Sequence, residues 1–589
     1  MEHKSQSLRR LPGLASLRGW LRGRIAPVAM RSALARRLLG RAAWRYVYAA
    51  PSMPADLGAS AGVRISLVMA AGAATPEQLR RTLRSISRQW RAPAEIVVGL
   101  GPDAPAGSRT LLAQEQQRAG GTLRLTGAAQ PGRVCALNAA LAAASGDFVA
   151  LVAPGDELAA DCVHALGAAI AAQDADFLYS DEDEIAGPGR YRNPWFKPDW
   201  SPDLLMSLPY AAHVACLRRD LLAQTGLLRP ELEGAEIWDL LLRVAERTRR
   251  IVHLPQALYH RQPGPREGAG DARAVAAGRQ ARLDALARRG EPGALEPAPS
   301  APGHLRLRRH VSGEPLVSII IPSRNNGRVL QACADSIRAR STWRRHELVL
   351  LDNGSTEPET LAVFERLAAR GATVIRHDAP FNYSGLNNIG ARRARGELLL
   401  FLNDDTEVIT PDWLERLAGY AQAPHVGAVG ALLLYPGRPA IQHVGVVNTA
   451  LGPLHAFLHG DPGRPVPFLR QTLERNWLAV TGACLMVARD RFAQVGGFNE
   501  ALPVGYNDID LCMRLYEAGY FNVSLPAVRL LHHESASRGH DAADAARMAR
   551  LAGEREKLYT LHPQFRGRDP FLNPNLSQTS PWFDLRPRR

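Results

Sequence analysis

The stretch GELLLFLNDDTEV, residues 396–408, is the most informative indicator of the fold of this protein. Its central run of five apolar residues is typical of a strand that is buried on both faces, as in a parallel sheet. The run ends directly on Asn403, Asp404 and Asp405. Ligands of open α/β sheets bind at the carboxyl ends of the strands. Three oxygen-bearing side chains at this point therefore predict a binding site at a sheet edge.

Outward from this stretch, the chain shows one pattern of segments twice, in the same order. The order of strand, helix, strand and helix implies a parallel sheet with crossover helices. A repeat of about 250 residues has the size of a domain and is too long for a solenoid unit. The matched pairs are VSIIIPSRNN (from 317) with ISLVMAAG (from 65), HELVLLDNGS (from 346) with AEIVVGL (from 94), LNNIGARRARGELLLFLNDDTEV (from 386) with LNAALAAASGDFVALVAPGDEL (from 137), and GYNDIDLCMR (from 505) with GAEIWDLLLR (from 234).

We therefore predict an α/β protein with two tandem domains, the first copy at residues 61–262 and the second copy at residues 315–560. Residues 263–314 are rich in Pro and Gly at both ends and have helical composition between them, which predicts a helical connector. A basic leader, residues 1–60, precedes the first copy, and a tail, residues 561–589, follows the second.

The leader carries most of the excess charge of the chain. The formal net charge is +15, and between His3 and Ala55 there are Lys4 and ten arginines but no Asp or Glu. Leucines at helical spacing, together with Trp20 and Trp44, suit an amphipathic segment that lies on an anionic membrane surface. A solvated arm or a targeting peptide fits the same charge equally well.

The predicted compartment is the cytoplasm, with the leader at the inner face of the plasma membrane. No apolar run approaches the roughly 20 residues that a bilayer-spanning helix needs, and the leader lacks the apolar core of a signal peptide. The six cysteines are dispersed, with no CxxC pair. This spacing argues against a zinc site and against a disulfide framework.

Acidic side chains and one histidine follow the predicted strands of the second copy. Asp352 at a strand end, followed by Gly and Ser, suits nucleotide recognition. Asp404 and Asp405 carry carboxylate oxygens, the type of ligand that Mg²⁺ and Mn²⁺ prefer. Asp508, at the start of a helix, suits a general base. His533 follows the last strand and is a candidate for contact with metal or diphosphate.

Each of these residues also has an ordinary structural interpretation. Asp352 fits a strand-to-helix turn, Asp508 fits a helix N-terminus that attracts carboxylates, and a lone histidine is usually structural. Capping explains Asp404 and Asp405 less well, because residues 410–412 (Thr-Pro-Asp) supply a separate helix start. The functional interpretation depends on these acids and the histidine occurring together, in this order along the chain.

The second copy resembles the inverting family-2 glycosyltransferases with the GT-A fold, and especially the rhamnosyltransferase-like enzymes that build bacterial O-antigen and other cell-surface polysaccharides. The resemblance extends over nearly all of residues 316–539. The segments that carry it are VSIIIPSRNN, LLDNGST, FNYSGLNNIGARRARGELLLFLNDDTEV, TGACLMVARDRFAQVGGFNE, GYNDIDLCMRLYEAGY and HHESASRG.

This resemblance implies two tandem GT-A-like domains, each with a Rossmann-like, mixed but mainly parallel sheet. It also implies inverting displacement at the anomeric carbon of a nucleotide-linked sugar, with Mn²⁺ or Mg²⁺ as cofactor. The site departs from the family's pattern at Asn403, which replaces the first Asp of the metal motif, and at Asn507, which replaces an acid that often precedes the base. The implied site residues are Asp508 as the base; Asp352, Asn388 and Asp404 at the donor; and Asp405, Asn403 and His533 at the cation.

The first copy resembles the first domain of tandem family-2 enzymes but lacks the corresponding acids. Non-ionisable residues replace all three, which predicts a domain that no longer catalyses. Asp156 and the acidic run 181–183 remain, and we interpret that run as a solvated turn. The replacements are Leu100 for Asp352, Gly155 for Asp405 and Ile237 for Asp508.

Alternative functions remain open on the sequence. A bifunctional transferase would need the acids of the first copy, and a wholly inactive carbohydrate-binding protein would leave the acids of the second copy unexplained. The pI near 10 prompts a basic nucleic-acid-binding or membrane-binding protein, but no nucleic-acid module is recognisable, and no nucleic-acid partner is expected. The expected partners are a UDP- or dTDP-linked donor and a glycan or lipid-linked acceptor.

Overall fold

The computed structural model describes residues 51–53, 57–58, 62–264, 271–464, 466–533 and 545–586. The predicted amphipathic leader lies almost wholly outside these residues and stays a prediction. Within the described ranges, no helix is long and apolar enough to cross a bilayer.

The first copy forms a nine-stranded sheet with helices between the strands. Its strands are β1 Ile65–Ala70, β2 Glu95–Leu100, β3 Leu123–Gly127, β4 Phe148–Leu151, β5 Glu157–Leu158, β6 Phe177–Gly187, β7 Arg190–Trp195, β8 Cys216–Arg218 and β9 Ile251–Arg261. Its helices are α1 Pro76–Ser87, α2 Ala106–Arg118, α3 Arg133–Ala143, α4 Cys162–Gln173, α5 Pro202–Ser207, α6 Arg219–Thr225 and α7 Glu236–Ala245.

The connector is a helix followed by a two-stranded antiparallel hairpin. The helix, α8 Ala272–Arg289, begins at Asp271, whose side chain accepts a hydrogen bond from the backbone N–H of Ala274, and it ends at Gly290 with φ of +64°. The hairpin consists of β10 Gly293–Pro297 and β11 Leu305–Arg309. The hairpin was not predicted, because a short strand pair among Pro and Gly residues leaves little periodic signal.

The second copy forms a ten-stranded sheet and a separate two-stranded hairpin. Its strands are β12 Val317–Ser323, β13 His346–Asp352, β14 Thr373–Arg376, β15 Leu398–Leu402, β16 Thr406–Val408, β17 Val426–Leu434, β18 Ile441–His443, β19 Val446–Thr449, β20 Gly452–His455, β21 Arg475–Trp477, β22 Cys484–Ala488 and β23 Phe521–His532. Its helices are α9 Gly327–Arg340, α10 Pro358–Ala369, α11 Tyr383–Arg393, α12 Trp413–Ala421, α13 Arg489–Gln494, α14 Asn507–Glu517 and α15 Ala545–Leu561.

The two large sheets have the same topology. The first has the order β3-β2-β1-β4-β8-β6-β9-β5, and the second has the order β14-β13-β12-β15-β22-β17-β23-β16. In the second sheet β14, β13, β12 and β15 are parallel, and β22 inserts antiparallel beside β15. The predicted class, α/β with mixed but mainly parallel sheets, is confirmed.

A buried hydrogen bond at the start of each sheet fixes the correspondence between the copies. Ser66 Oγ donates to Glu95 Oε1 at 2.7 Å, and Ser318 Oγ donates to Glu347 Oε1 at 2.7 Å. Each serine is also the acceptor for the backbone N–H of a glycine, Gly146 in the first copy and Gly396 in the second. Since Leu100 and Asp352 both come five residues after the glutamate, the structure aligns these two residues.

The two copies pack directly against each other. Asn476 on β21 accepts hydrogen bonds from Ser201 Oγ at 2.9 Å and from the backbone N–H of Asp203 at 3.0 Å, and it donates to Asp203 Oδ2 at 2.7 Å. The tail also crosses to the first copy, where Asn573 Nδ2 donates to both carboxylate oxygens of Asp181. The side chains at these contacts are buried, so the first copy contacts the second through a buried polar interface.

Candidate active site

A cleft of about 760 Å³ opens at the carboxyl ends of the central strands of the second copy. One wall comes from the ends of β12, β13 and β15, which bring Ser323, Asn353 and Asp405 together. The hairpin β19–β20 contributes His455 to the lining, and the start of α14 contributes Asp508. The position follows from the topology, since parallel strands end at one edge of a sheet.

Asp404 is held by the protein at the base of the cleft. Its Oδ2 accepts hydrogen bonds from Ser323 Oγ at 2.6 Å and from Asn326 Nδ2 at 3.1 Å. Both donors lie at the end of β12 or just before α9. Asp404 therefore ties two neighbouring loops together and lines the cleft, and its predicted contact with the donor remains a prediction.

Asp405 faces His532, the last residue of β23. His532 Nε2 lies 3.1 Å from Asp405 Oδ1, and the side chains are 12% and 7% exposed. Burial alone would raise the pKa of Asp405, but the neighbouring imidazole outweighs it and the pKa lies below its ordinary value. On its other side, His532 Nδ1 lies 2.6 Å from Gln442 Oε1. A carboxylate and an imidazole oriented by a further hydrogen bond are a typical pair of metal ligands.

The adjacent histidine, His533, points elsewhere. Its Nε2 lies 2.9 Å from Glu407 Oε1, and these two side chains are 35% and 39% exposed. In the strand pairing, Thr406 lies opposite His532, and consecutive strand residues point to opposite faces. His532 therefore occupies the place beside Asp405 that the sequence analysis gave to His533.

The third predicted cation residue, Asn403, also contacts this histidine. Asn403 Nδ2 lies 3.2 Å from His532 Nε2, and Asn403 lines the cleft. Among the residues that the structure describes, no group of three or more His, Cys, Asp or Glu side chains could hold a metal ion. A cation here would take its remaining ligands from diphosphate and water.

We expect His532→Gln to weaken cation activation of donor hydrolysis about tenfold to a hundredfold, the usual cost of disturbing a metal ligand or its partner. The measurement is a Mn²⁺ titration of hydrolysis at saturating donor. His533→Gln is the matched control, one residue away, and should change the Mn²⁺ requirement less than about twofold. Equal losses in the two variants would contradict this assignment.

Asp352 is buried one layer behind the cleft. Its Oδ1 accepts from the backbone N–H of Ser355 at 2.8 Å, and its Oδ2 accepts from Arg376 Nη1 at 2.9 Å. The next residue, Asn353, lines the cleft and donates through Nδ2 to the carbonyls of His377 and Ala379. Asn353 Oδ1 is buried without a hydrogen-bond partner within the described part of the chain. The structure thus places a hydrogen-bond acceptor that is not used within the described protein at Asn353. This residue directly follows Asp352, which was predicted to contact the nucleotide sugar.

Asn388 holds two segments of the second copy together and does not line the cleft. Its Nδ2 donates to the carbonyl of Phe498 and to Glu500 Oε1, and its Oδ1 accepts from the backbone N–H of Phe498. In the first copy Asn138 makes the same two-way contact with the backbone of Leu228. Because the same clasp exists in both copies, the placement of Asn388 gives no support to donor contact.

Asp508 lies in the first turn of α14 with its carboxylate on the wall of the cleft. Its Oδ2 accepts from the backbone N–H of Gly482 at 2.8 Å, and burial raises its pKa above the ordinary carboxyl value. The preceding Tyr506 has φ of +58°. A bulky residue in the left-handed region is strained, and such strain concentrates at functional sites. The raised pKa suits a base that works near neutral pH.

The equivalent place in the first copy lacks these side chains. Gly155, aligned with Asp405, has φ of +93°, a conformation that favours glycine. The strand pairing puts Arg261 where the second copy has His532, and a guanidinium repels cations. Ile237 begins α7 at the position of Asp508.

The remaining acids of the first copy are engaged in its interior. Tyr259 Oη donates to Asp156 Oδ2 at 2.7 Å, and burial raises the pKa of Asp156. The interpretation of residues 181–183 as a solvated turn is wrong, because these residues lie within β6 and are at most 1% exposed. Each faces a buried polar partner: His253 and Asn573 for Asp181, Lys197 for Glu182, and His260 for Asp183.

Comparisons with known proteins agree with this architecture. Residues 318–450 match the family model described as glycosyl transferase family 2. The chain is 38% identical over 527 residues to the O-antigen biosynthesis protein RfbC of Myxococcus xanthus, covering 88% of this chain and 40% of that protein. It therefore spans less than half the length of that relative.

Two further similarities are more distant. Over 231 residues, the chain is 28% identical to the N-acetylglucosaminyl-diphospho-decaprenol L-rhamnosyltransferase of Mycobacterium tuberculosis. This match covers 34% of this chain and 71% of that protein. The structure of GalNAc-T7 with UDP, GalNAc and Mn²⁺ superposes on 44% of this chain and 52% of its own, with 16% identity and a TM-score of 0.36. At that TM-score the fold assignment depends on the strand order itself.

Proposed function

We propose that this chain transfers a sugar from a nucleotide-diphosphate sugar to a glycan or lipid-linked acceptor, with inversion, in cell-surface polysaccharide synthesis. The match of residues 318–450 to the glycosyl transferase family 2 model and the similarity to an O-antigen biosynthesis protein support this proposal. One observation carries the proposal. The Asp405–His532 pair and Asp508 line the same cleft, while the first copy has neither. Catalysis is accordingly assigned to the second copy alone.

The transfer is a single displacement. The acceptor hydroxyl attacks the anomeric carbon on the face opposite the diphosphate, the new C–O bond forms, and the bond to the diphosphate oxygen breaks with its electron pair. Asp508 takes the hydroxyl proton, as a base with a raised pKa does near neutral pH. One displacement inverts the configuration at that carbon.

Asp405 and His532 fit a divalent cation, with Asn403 beside them. The fit follows from the chemistry of the pair: an ionised carboxylate and an imidazole nitrogen 3.1 Å apart, in a cleft large enough for a nucleotide sugar. Mn²⁺ and Mg²⁺ accept such oxygen and nitrogen donors. When bound, the cation would neutralise charge on the departing diphosphate as a Lewis acid.

Asn353 is the group that we assign to the nucleotide base. Its buried, unpaired Oδ1 is an acceptor, and a buried acceptor without a partner is costly unless a ligand donates to it. Uracil and thymine both carry an N3–H donor, so this atom fits the UDP- or dTDP-linked donors expected from the sequence, and the screen below tests GDP-linked sugars beside them. Asp352 would act indirectly, by fixing the turn through Ser355 and Arg376.

The names of the relatives support these substrate classes but describe those proteins. One takes part in O-antigen biosynthesis, and another is a rhamnosyltransferase named for a diphospho-decaprenol. A polyprenyl-linked glycan and a deoxyhexose donor are thus the first candidates for this chain.

The direct test is a hydrolysis screen of the full chain against UDP-, dTDP- and GDP-linked sugars, each with Mn²⁺, Mg²⁺ or EDTA. We expect cation-dependent release of a uridine or thymidine diphosphate. A chain that hydrolyses no donor, or that works equally well in EDTA, would refute the proposal. The released sugar, trapped by methanol, should have the inverted anomeric configuration in its NMR spectrum.

A bifunctional transferase is the second candidate, and the geometry of the first copy speaks against it. Every acid that it requires is occupied: Asp156 by Tyr259, and Asp181 by His253 and the tail. These contacts give the acids a structural explanation.

We propose that the basic leader binds the protein to an anionic membrane surface. We expect removal of residues 1–48, which contain Lys4 and the ten arginines of the leader, to release the protein from liposomes containing anionic lipid and to leave donor hydrolysis unchanged. Each Lys or Arg near an anionic surface contributes about 1 kcal/mol of attraction, so high salt should release the full chain as well. Unaltered liposome binding after truncation would refute this role, and retention on DNA in place of liposomes would favour a nucleic-acid partner.

A further inference from the structure

Two histidines beside the cleft have no role in the displacement described above. His443 ends β18 and is fully buried, and His455 ends β20 and lines the cleft. Their Nδ1 atoms lie 2.9 Å apart, with the rings edge to face. The hairpin β19–β20 that carries His455 forms its own two-stranded sheet and is an addition to the strand order that the two copies share.

The backbone determines which nitrogen of each ring carries the proton. The N–H of Thr481 points at His443 Nε2 over 3.3 Å. A backbone amide can only donate, so this nitrogen must be the acceptor. The proton of the neutral His443 ring is then on Nδ1 and is donated to His455 Nδ1. His455 in turn must carry its own proton on Nε2.

His443 is held in the neutral form by its surroundings. Burial is the largest cause that keeps its pKa well below the ordinary histidine value, and the neighbouring His455 and His532 act in the same direction. His443, the buried member of the pair, therefore determines which nitrogen of each ring carries the proton. The Nε2–H of His455 lies on the edge of its ring away from His443, and His455 lines the cleft.

The same loop that orients His443 also orients the base. Thr481 donates to His443, and the next amide, that of Gly482, donates to Asp508 Oδ2 at 2.8 Å. His455 and Asp508 line one cleft and interact electrostatically. A rigid dipeptide thus places a hydrogen-bond donor and a proton acceptor on the same side of the cleft.

We propose that His455 is a further catalytic residue, which donates its Nε2–H to the oxygen of the attacking hydroxyl, and that His443 is a positioning residue that fixes this tautomer. The inference rests on the proposed function. A hydroxyl oxygen held by this donor directs its own proton to Asp508. As that proton leaves, the oxygen gains charge and the hydrogen bond from His455 strengthens, which favours the transition state.

Two variants of one residue separate the two ring nitrogens. His455→Asn keeps an acceptor near the Nδ1 position but has no donor at the Nε2 position, and His455→Gln places an amide donor near Nε2. We expect kcat for donor hydrolysis to fall at least about tenfold in His455→Asn. KM for the donor and the Mn²⁺ requirement should stay unchanged, and His455→Gln should recover most of the loss. The substrate is the most rapidly hydrolysed sugar nucleotide of the screen.

Three outcomes would overturn the inference: normal turnover in His455→Asn, no recovery in His455→Gln while both variants keep the wild-type thermal midpoint, or a rise in donor KM in place of a fall in kcat. Two-bond ¹H–¹⁵N spectra of the wild-type protein test the tautomers without any substrate. The expected protons are on Nδ1 of His443 and Nε2 of His455, and the reverse assignment would refute the proposal. Failure of wild-type hydrolysis on every donor would instead refute the proposed function on which it rests.

Discussion

Asp508→Asn is expected to reduce transfer and hydrolysis about a hundredfold to ten-thousandfold, the usual contribution of a general base. The amide keeps the shape of the side chain and can still accept the hydrogen bond from Gly482, but it cannot take a proton. The donor therefore binds normally, and KM for the donor stays near the wild-type value. Steady-state hydrolysis, together with titration calorimetry of UDP and Mn²⁺, separates turnover from binding.

The pH profile gives an independent test of the same residue. Burial raises the pKa of Asp508 in the folded protein, and the base works only when deprotonated. Activity should therefore fall as the pH drops through this raised pKa, and the acid limb of kcat/KM should lie above the ordinary carboxyl value near 4. In Asp508→Asn this limb should disappear from the residual rate.

The matched control is an acid of the first copy. Asp156→Asn changes a carboxylate that follows the strand equivalent to β15 but is occupied by Tyr259 and by the backbone N–H of Gln262. We expect it to leave every detectable transfer within about twofold of wild type. Normal turnover in Asp508→Asn, combined with loss of one linkage in Asp156→Asn, would establish the bifunctional alternative.

Asp405→Ala is expected to abolish cation activation and to lower turnover by about a hundredfold or more, since loss of even a supporting partner of a ligand costs about tenfold to a hundredfold. EDTA should do the same to the wild-type protein. The variant should remain folded, because Asp405 lies at the cleft and the core of the sheet is intact without it. Calorimetric titration with Mn²⁺ in the presence of UDP measures the binding directly.

Glu407→Ala provides the comparison for Asp405→Ala. Glu407 lies two residues further along the chain. It pairs with His533, whereas Asp405 pairs with His532. The Glu407 pair is about one-third exposed, and such surface pairs contribute at most about 1 kcal/mol. Turnover and Mn²⁺ affinity should be unchanged in this variant. A larger effect in Glu407→Ala than in Asp405→Ala would move the cation site to His533, as the sequence analysis expected.

The contacts between the two copies give the first copy a structural role that does not depend on catalysis. The acidic run 181–183 is buried in polar pairs, and Asp181 accepts hydrogen bonds from the tail through Asn573. Asn476 of the second copy is likewise satisfied by Ser201 and Asp203 of the first. Separating the copies would leave these buried polar groups without partners, which is costly.

The features that depend on local pattern could be predicted from the sequence. The duplicated order of strands and helices, the apolar run 398–402 and the acids that follow it predict two α/β sheets with a site at the strand ends. The strand order of both sheets confirms this class. The absence from the first copy of residues equivalent to Asp352, Asp405 and Asp508 could also be predicted, because it requires only an alignment of the two copies.

Which side chains contact each other in the cleft follows from the folded structure and could not be predicted from the sequence. His532 and His533 are indistinguishable by composition, and the register of β23 against β16 turns the first toward Asp405. Similarly, Asn388 serves as a clasp and His455 reaches the cleft, through partners more than ten residues away in sequence. Side chains alternate between the two faces of a strand, so a shift of one residue reverses every contact. The packing of distant segments sets that register, and the local sequence carries no direct record of it.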